Sequence, residues 1–136
     1  MNTRSFSCYH DQFHKELEKW KKFVKENSLP VNGIYKLTTS IPILRKGGSD
    51  IEGILYIGEG DIFGNPGSRP GLLINAINKT APYHDAGNRY LLIKDKYPLS
   101  SLSLSIELMS NSKEVEKELL TIYKKKFGEL PPLNLI

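Results

Sequence analysis

At 136 residues, with 39% hydrophobic and 25% charged side chains, the chain is long enough to bury a core of its own and too apolar to be disordered. Its lone cysteine, Cys8, excludes an internal disulfide and fits a reducing compartment, where a packed thiol is expected. A net charge of +4 and a pI near 9.1 permit a polyanionic partner, but lysines interleave with glutamates in "HKELEKWKKFVKEN" and "KEVEKELLTIYKKKFG", so much of the excess belongs to solvated helix faces.

The opening "MNTRSFSCYHDQFHKELEKW" has no apolar core of signal-peptide length, and no run is long enough to span a bilayer; a cytoplasmic protein with no membrane partner is expected. Residues 10–27 predict an amphipathic helix, because Phe13, Leu17, Trp20 and Val24 recur at helical spacing among charged positions. "NSLPVNG" ends it, since Pro30 cannot continue a helix. Two short β-prone runs follow, 33–39 and 53–58, joined by the loop "SIPILRKGGSDIE", and antiparallel pairing is the simplest way to connect them. The turn-rich "EGDIFGNPGS" leads into "RPGLLINAINKT", a short helix with Pro70 in its first turn, where a missing N–H is harmless.

"APYHDAG" reads as a loop, and "NRYLLIKDKYP" as a short helix, with strand the alternative. Residues 101–109, "SLSLSIELM", alternate Leu102, Leu104, Ile106 and Leu108 with polar neighbours and make the clearest strand. A last helix over 112–127 starts at Asn111 or Ser112 and stops at Gly128. The order predicts an α+β fold with a small three-stranded antiparallel sheet flanked by helices. Residues 1–30 are read as a helical extension packed on a domain of residues 31–136.

Several residues carry potential chemistry. Glu116 lies on the apolar stripe of the last helix with Leu119, Leu120, Tyr123 and Phe127. A carboxylate there needs a hydrogen-bond donor, a cation or a metal ion, because desolvating it alone is costly. If the stripe is rotated towards Val115 and Ile122, Glu116 sits at its edge instead. Tyr35 and Tyr56 lie in predicted strands, where tyrosine is also a common packing residue. Arg69 at a helix start is electrostatically awkward unless a phosphate lies between its guanidinium and the helix N–H groups. "GEGDIFG" has the wrong glycine spacing for a dinucleotide loop, and His10 and His14 lack a third metal ligand. Lys21, Lys22, Lys25, Lys124, Lys125 and Lys126 are rim candidates for phosphate contacts, with plain solubility the alternative.

In combination, "GIY" at 33–35, "YIG" at 56–58, an arginine after a short loop, and "ExxLL" from Glu116 ahead of "PPLN" resemble the GIY-YIG nuclease superfamily, over about residues 32–134. The resemblance implies hydrolysis of a DNA phosphodiester with one divalent ion, Mg²⁺ or Mn²⁺. It assigns Tyr35 and Tyr56 to the cleft, with Tyr35 the one that helps activate water, supported by Gly33 and Gly58. Arg69 would neutralise the scissile phosphate, Glu116 would hold the metal, and Asn134 would support the site. The reaction demands such groups: phosphoryl oxygens gather negative charge, and a phenol of reference pKa about 10 needs positive charge nearby to act.

The pattern departs from the family at Leu73, where an assisting histidine, tyrosine or lysine is usual one turn after the arginine. His84 is the expected replacement, as general acid or phosphate contact. Pro70 follows Arg69 directly, and Arg89 is the reserve arginine. A restriction, phage-defence or repair nuclease is compatible, with a homodimer through the Trp20 face of the first helix as one arrangement. The rival reading is an inactive nucleic-acid-binding or protein-interaction module of the same fold.

Overall fold

The computed structural model describes residues 2–64 and 68–134. In chain order these form strand β1 (Thr3–Phe6), helix α1 (His10–Glu26), β2 (Asn32–Thr39), the short strands β3 (Ile43–Arg45) and β4 (Gly48–Asp50), β5 (Ile54–Asp61), α2 (Arg69–Ile77), α3 (Asp85–Tyr90), β6 (Leu102–Leu108) and α4 (Ser112–Phe127). Four strands make an antiparallel sheet in the order β1-β6-β2-β5, and β3 pairs with β4 in a separate ribbon. Among the described residues no helix is long and apolar enough to cross a membrane.

Alternation along the strands divides the side chains between two faces. On one, Tyr35 and Leu37 of β2 join Leu104, Ile106 and Leu108 of β6 in the main core, with Phe13, Leu17, Trp20 and Val24 of α1 and Leu73, Ile74 and Ile77 of α2. On the other, Ile34, Ile54 and Ile57 meet α4 through Tyr123, with Val115, Leu119, Leu120 and Phe127 partly buried against them. Asp50, only 2% exposed, joins the ribbon to this second layer. Its carboxylate accepts from the Gly53 and Ile54 N–H groups, each at 3.0 Å, and from the Tyr123 hydroxyl at 2.9 Å. Three donors on one buried carboxylate satisfy it and fix the approach of the ribbon to α4.

The sheet therefore has four strands where the sequence predicts three. The added strand, β1, pairs antiparallel with β6 from Thr3↔Glu107 to Phe6↔Leu104. Only Phe6 of its four side chains is buried, so it carries no alternation; the β6 ladder holds it. Residues 1–30 are accordingly not a purely helical extension, since they contribute a strand to the sheet and a helix to the main core. The loop before β5 contains the β3–β4 ribbon, and α3 begins inside the segment read as a loop.

Trp20 is wholly buried, with its ring 5.5 Å from those of Phe6 and Phe63. The face expected to receive a second copy is thus spent on the chain's own core. Cys8 is also buried, and desolvation pushes its thiol up to about 12, which leaves it an inert packing group.

Candidate functional site

β5 is an edge strand, and Asn134 completes its free edge. The Asn134 side-chain oxygen accepts from the Ile57 N–H at 3.0 Å, and its side-chain N–H donates to the Ile57 carbonyl at 2.9 Å. The Leu133 N–H adds a bond to the Leu55 carbonyl at 2.9 Å. An amide side chain here pairs as a neighbouring strand's peptide group would, which holds the strand carrying Tyr56 in place.

Beside this edge, α2 and α3 from one face and α4 from the other enclose a cleft of about 410 Å³. Of the residues singled out from sequence, Tyr56, Arg69, His84, Glu116 and Asn134 line it. Tyr83, Asp85 and Arg89 line it too, and of these only Arg89 was named from sequence, as the reserve arginine. Tyr35 has no exposed surface and lies behind the cleft wall, its ring centroid 5.9 Å from that of Tyr56.

The glycines of the two tripeptides have steric reasons. Tyr35 pairs across the sheet with Gly58, and a Cβ at Gly58 would stand 2.5 Å from Tyr35 Cζ and 2.7 Å from Tyr56 Cε2. Both rings therefore close over a position that admits no side chain. At Gly33 a Cβ would run into the Glu107 carbonyl of β6.

Arg69 is the first residue of α2, with Ser68 as N-cap: the Gly71 N–H donates to Ser68 Oγ at 2.9 Å. Pro70 sits in the first turn, where it removes only an N–H that would have no helical partner, so it does not displace the arginine. The exposed Arg69 side chain lies over Gly60, where φ is +141° and a Cβ would come within 2.7 Å of Arg69 Cγ. Leu73, one turn on, has no exposed surface and belongs to the main core.

His84 is the N-cap of α3. Its Nδ1 accepts from the Gly87 N–H at 3.2 Å, so the neutral ring carries its proton on Nε2, and Nε2–H donates to the Tyr35 hydroxyl at 3.0 Å. Burial, then the positive charge of Arg69, lowers its pKa to about 4, which keeps it neutral at physiological pH. Both nitrogens are hydrogen-bonded and the residue is 3% exposed, so in this arrangement His84 holds the Tyr35 hydroxyl and presents no free nitrogen for the general-acid or phosphate-contact role expected from sequence.

Burial raises the Tyr35 phenol well above its ordinary range, with Tyr56 adding to the effect and Arg69 opposing it. Tyr56, half-buried, is also raised by burial, against the opposing influence of Tyr35, Arg69 and Arg89. Glu116 is half-buried at the edge of the α4 stripe, and burial followed by the Glu59 charge raises its pKa while Arg69 lowers it. Its carboxylate forms no ion pair among the described residues.

The remaining expectations resolve differently. His14 Nε2 bonds Asn75 Oδ1 at 2.7 Å and His10 Nδ1 bonds its neighbour Asp11 at 2.8 Å, and among the described residues no group of three or more His, Cys, Asp or Glu side chains includes them as a metal-ligand set. Gly58 and Gly60 of "GEGDIFG" lie within β5 and form no loop ahead of a helix. Among the described residues no lysine lines the cleft. No family model, no curated protein and no solved structure matches the chain.

Proposed function

We propose that the chain is a DNA endonuclease of the GIY-YIG type that hydrolyses phosphodiester bonds with one divalent ion, Mg²⁺ or Mn²⁺. The observation that carries the reading is convergence: Tyr56, Arg69, Glu116 and Asn134, from four separated segments, line one cleft with Tyr35 directly behind. A coincidental set of tripeptides gives no reason for that arrangement.

The donor set fits a hard cation. Among the described residues no group of three or more His, Cys, Asp or Glu side chains is placed to hold a metal. Glu116 alone suits an ion that keeps most of its water and takes phosphate oxygens as further ligands. When bound, that ion supplies Lewis-acid stabilisation of the charge that gathers on the phosphoryl oxygens.

The protein's own groups divide the remaining work. Arg69, exposed at the cleft and braced on Gly60, can donate two parallel N–H bonds to a phosphate. Tyr56 lines the cleft whereas Tyr35 has no exposed surface, so Tyr56 is the tyrosine that orients the attacking water. Tyr35 supports it from beneath, its oxygen fixed by His84; this exchanges the roles that the sequence pattern implies for the two tyrosines. Incubation of plasmid DNA with Mg²⁺ and wild-type, Glu116→Ala or Arg69→Ala protein tests the reading, and cleavage that survives both substitutions sinks it. Two observations favour the rival, a binding module without catalysis: Leu73 is sealed in the core and His84 has no free nitrogen. That reading predicts salt-sensitive DNA binding with no cleavage under any divalent ion.

A further inference from the structure

α3 and the segment leading into it carry two groups that the proposed hydrolysis does not use. Tyr83 is 73% exposed although it is a large aromatic residue at the mouth of the cleft. Its backbone is held on both sides. The Pro82 carbonyl accepts from the Asn88 side chain at 3.0 Å, and His84 is locked to Tyr35 and Gly87. The ring is thus presented to solvent by an anchored segment, and its exposure is not compensated by any contribution to the core.

Arg89, in the last turn of α3, lines the same cleft. Its guanidinium donates to the Leu133 carbonyl, its Nε is buried without a hydrogen-bond partner, and it forms no ion pair among the described residues. A guanidinium tethered by a neutral carbonyl and left without a carboxylate is suited to an anion, and its planar fork matches phosphate. Arg69 and Arg89 then offer cations for two phosphates, with the Tyr83 ring on the same cleft.

We propose that Tyr83 and Arg89 form a subsite for the nucleotide next to the scissile phosphate, Arg89 contacting its phosphate and Tyr83 stacking on its base. This rests on the nuclease reading and names its substrate class. A base inside a continuous duplex has both faces covered by its neighbours, so stacking on Tyr83 requires an unpaired base. The substrate is therefore DNA with a single-stranded or extrahelical nucleotide at the cut.

The test is equilibrium binding by fluorescence anisotropy, without divalent ions, of a thymidine single strand and a blunt duplex of equal length. Wild type, Tyr83→Ala and Tyr83→Phe are compared, with thermal melting as a folding control. Alanine raises Kd for the single strand by roughly 5- to 100-fold and for the duplex by less than about 2-fold, while phenylalanine stays within about 2-fold of wild type on both. Equal loss on both ligands, no loss on either, or no single-strand binding by the wild type overturns the subsite. Wild-type cleavage of a flapped oligonucleotide with Mg²⁺ is measured in parallel: Tyr83-dependent binding without cleavage leaves the subsite standing and removes the nuclease, and cleavage without Tyr83 dependence does the reverse.

Discussion

Gly58→Ala probes the link between the sheet and the cleft. The added methyl would stand 2.5 Å from Tyr35 Cζ, 2.7 Å from Tyr35 Oη and 2.7 Å from Tyr56 Cε2, against a comfortable carbon–carbon separation of about 3.5–4.0 Å. Tyr35 has no exposed surface into which it can retreat, and its oxygen is held by His84, so relief of its two contacts must come from displacement of β5, the strand that carries Tyr56, and relief of the third from Tyr56 swinging into the cleft. Overpacking of this kind costs about 1–3 kcal/mol. For a chain of this length, that lowers Tm by roughly 3–12 °C. Because both routes move Tyr56, DNA cleavage falls by more than stability does, at temperatures where the variant is folded. Melting by circular dichroism and initial cleavage rates measure both. Adding Tyr35→Phe removes one of the three contacts, so the double variant is less destabilised than the two single effects combined. An unchanged Tm with wild-type cleavage would refute the packing argument.

Other perturbations give distinct signatures. Glu116 has a raised pKa, so its ionised form destabilises the fold; Glu116→Gln raises Tm at neutral pH, and the difference vanishes below the unfolded carboxylate pKa of about 4.3, as melts across pH report. Mg²⁺ raises the Tm of wild type but not of Glu116→Gln, if that carboxylate holds the ion. His84 is lowered from 6.5 to about 4, so the stability it carries is complete above about pH 6.5 and is lost as pH falls towards 4. Urea titrations across that window show a decline of up to roughly 3 kcal/mol that His84→Asn flattens. Asn134→Ala removes both bonds to Ile57 and costs about 1–3 kcal/mol, and hydrogen exchange at the Ile57 amide accelerates.

Long periodic elements were legible in the sequence because one physical pattern governs each. Phe13, Leu17, Trp20 and Val24 place α1 in the core, and Leu104, Ile106 and Leu108 place β6. β1 was not legible, because four residues with one buried side chain carry no periodicity, and its stability comes from a ladder with residues about a hundred positions away. β3 and β4 are three residues each, below the length at which alternation can be read.

Within the site, the ordered tyrosines, Arg69 and Glu116 could be selected by residue type, whereas their partners depend on tertiary contact. The bond from His84 to Tyr35 joins positions 49 apart, and histidine is not a residue by which an N-cap is usually recognised. Tyr83 carried no local signal, since its meaning comes from exposure at a cleft mouth. Asn134 could be picked out near "PPLN", but its pairing with the edge of β5 needs the sheet order to be known.

Single-turnover hydrolysis of a flapped oligonucleotide with Mn²⁺, comparing wild type with Glu116→Gln, tests whether Glu116 holds the ion that DNA cleavage requires. The expected result is metal-dependent cleavage by wild type and a fall of at least about 10²-fold in the variant, with Tm not lowered. Wild-type cleavage that persists in the variant within a factor of about ten, or continues in the presence of a chelator, would contradict it.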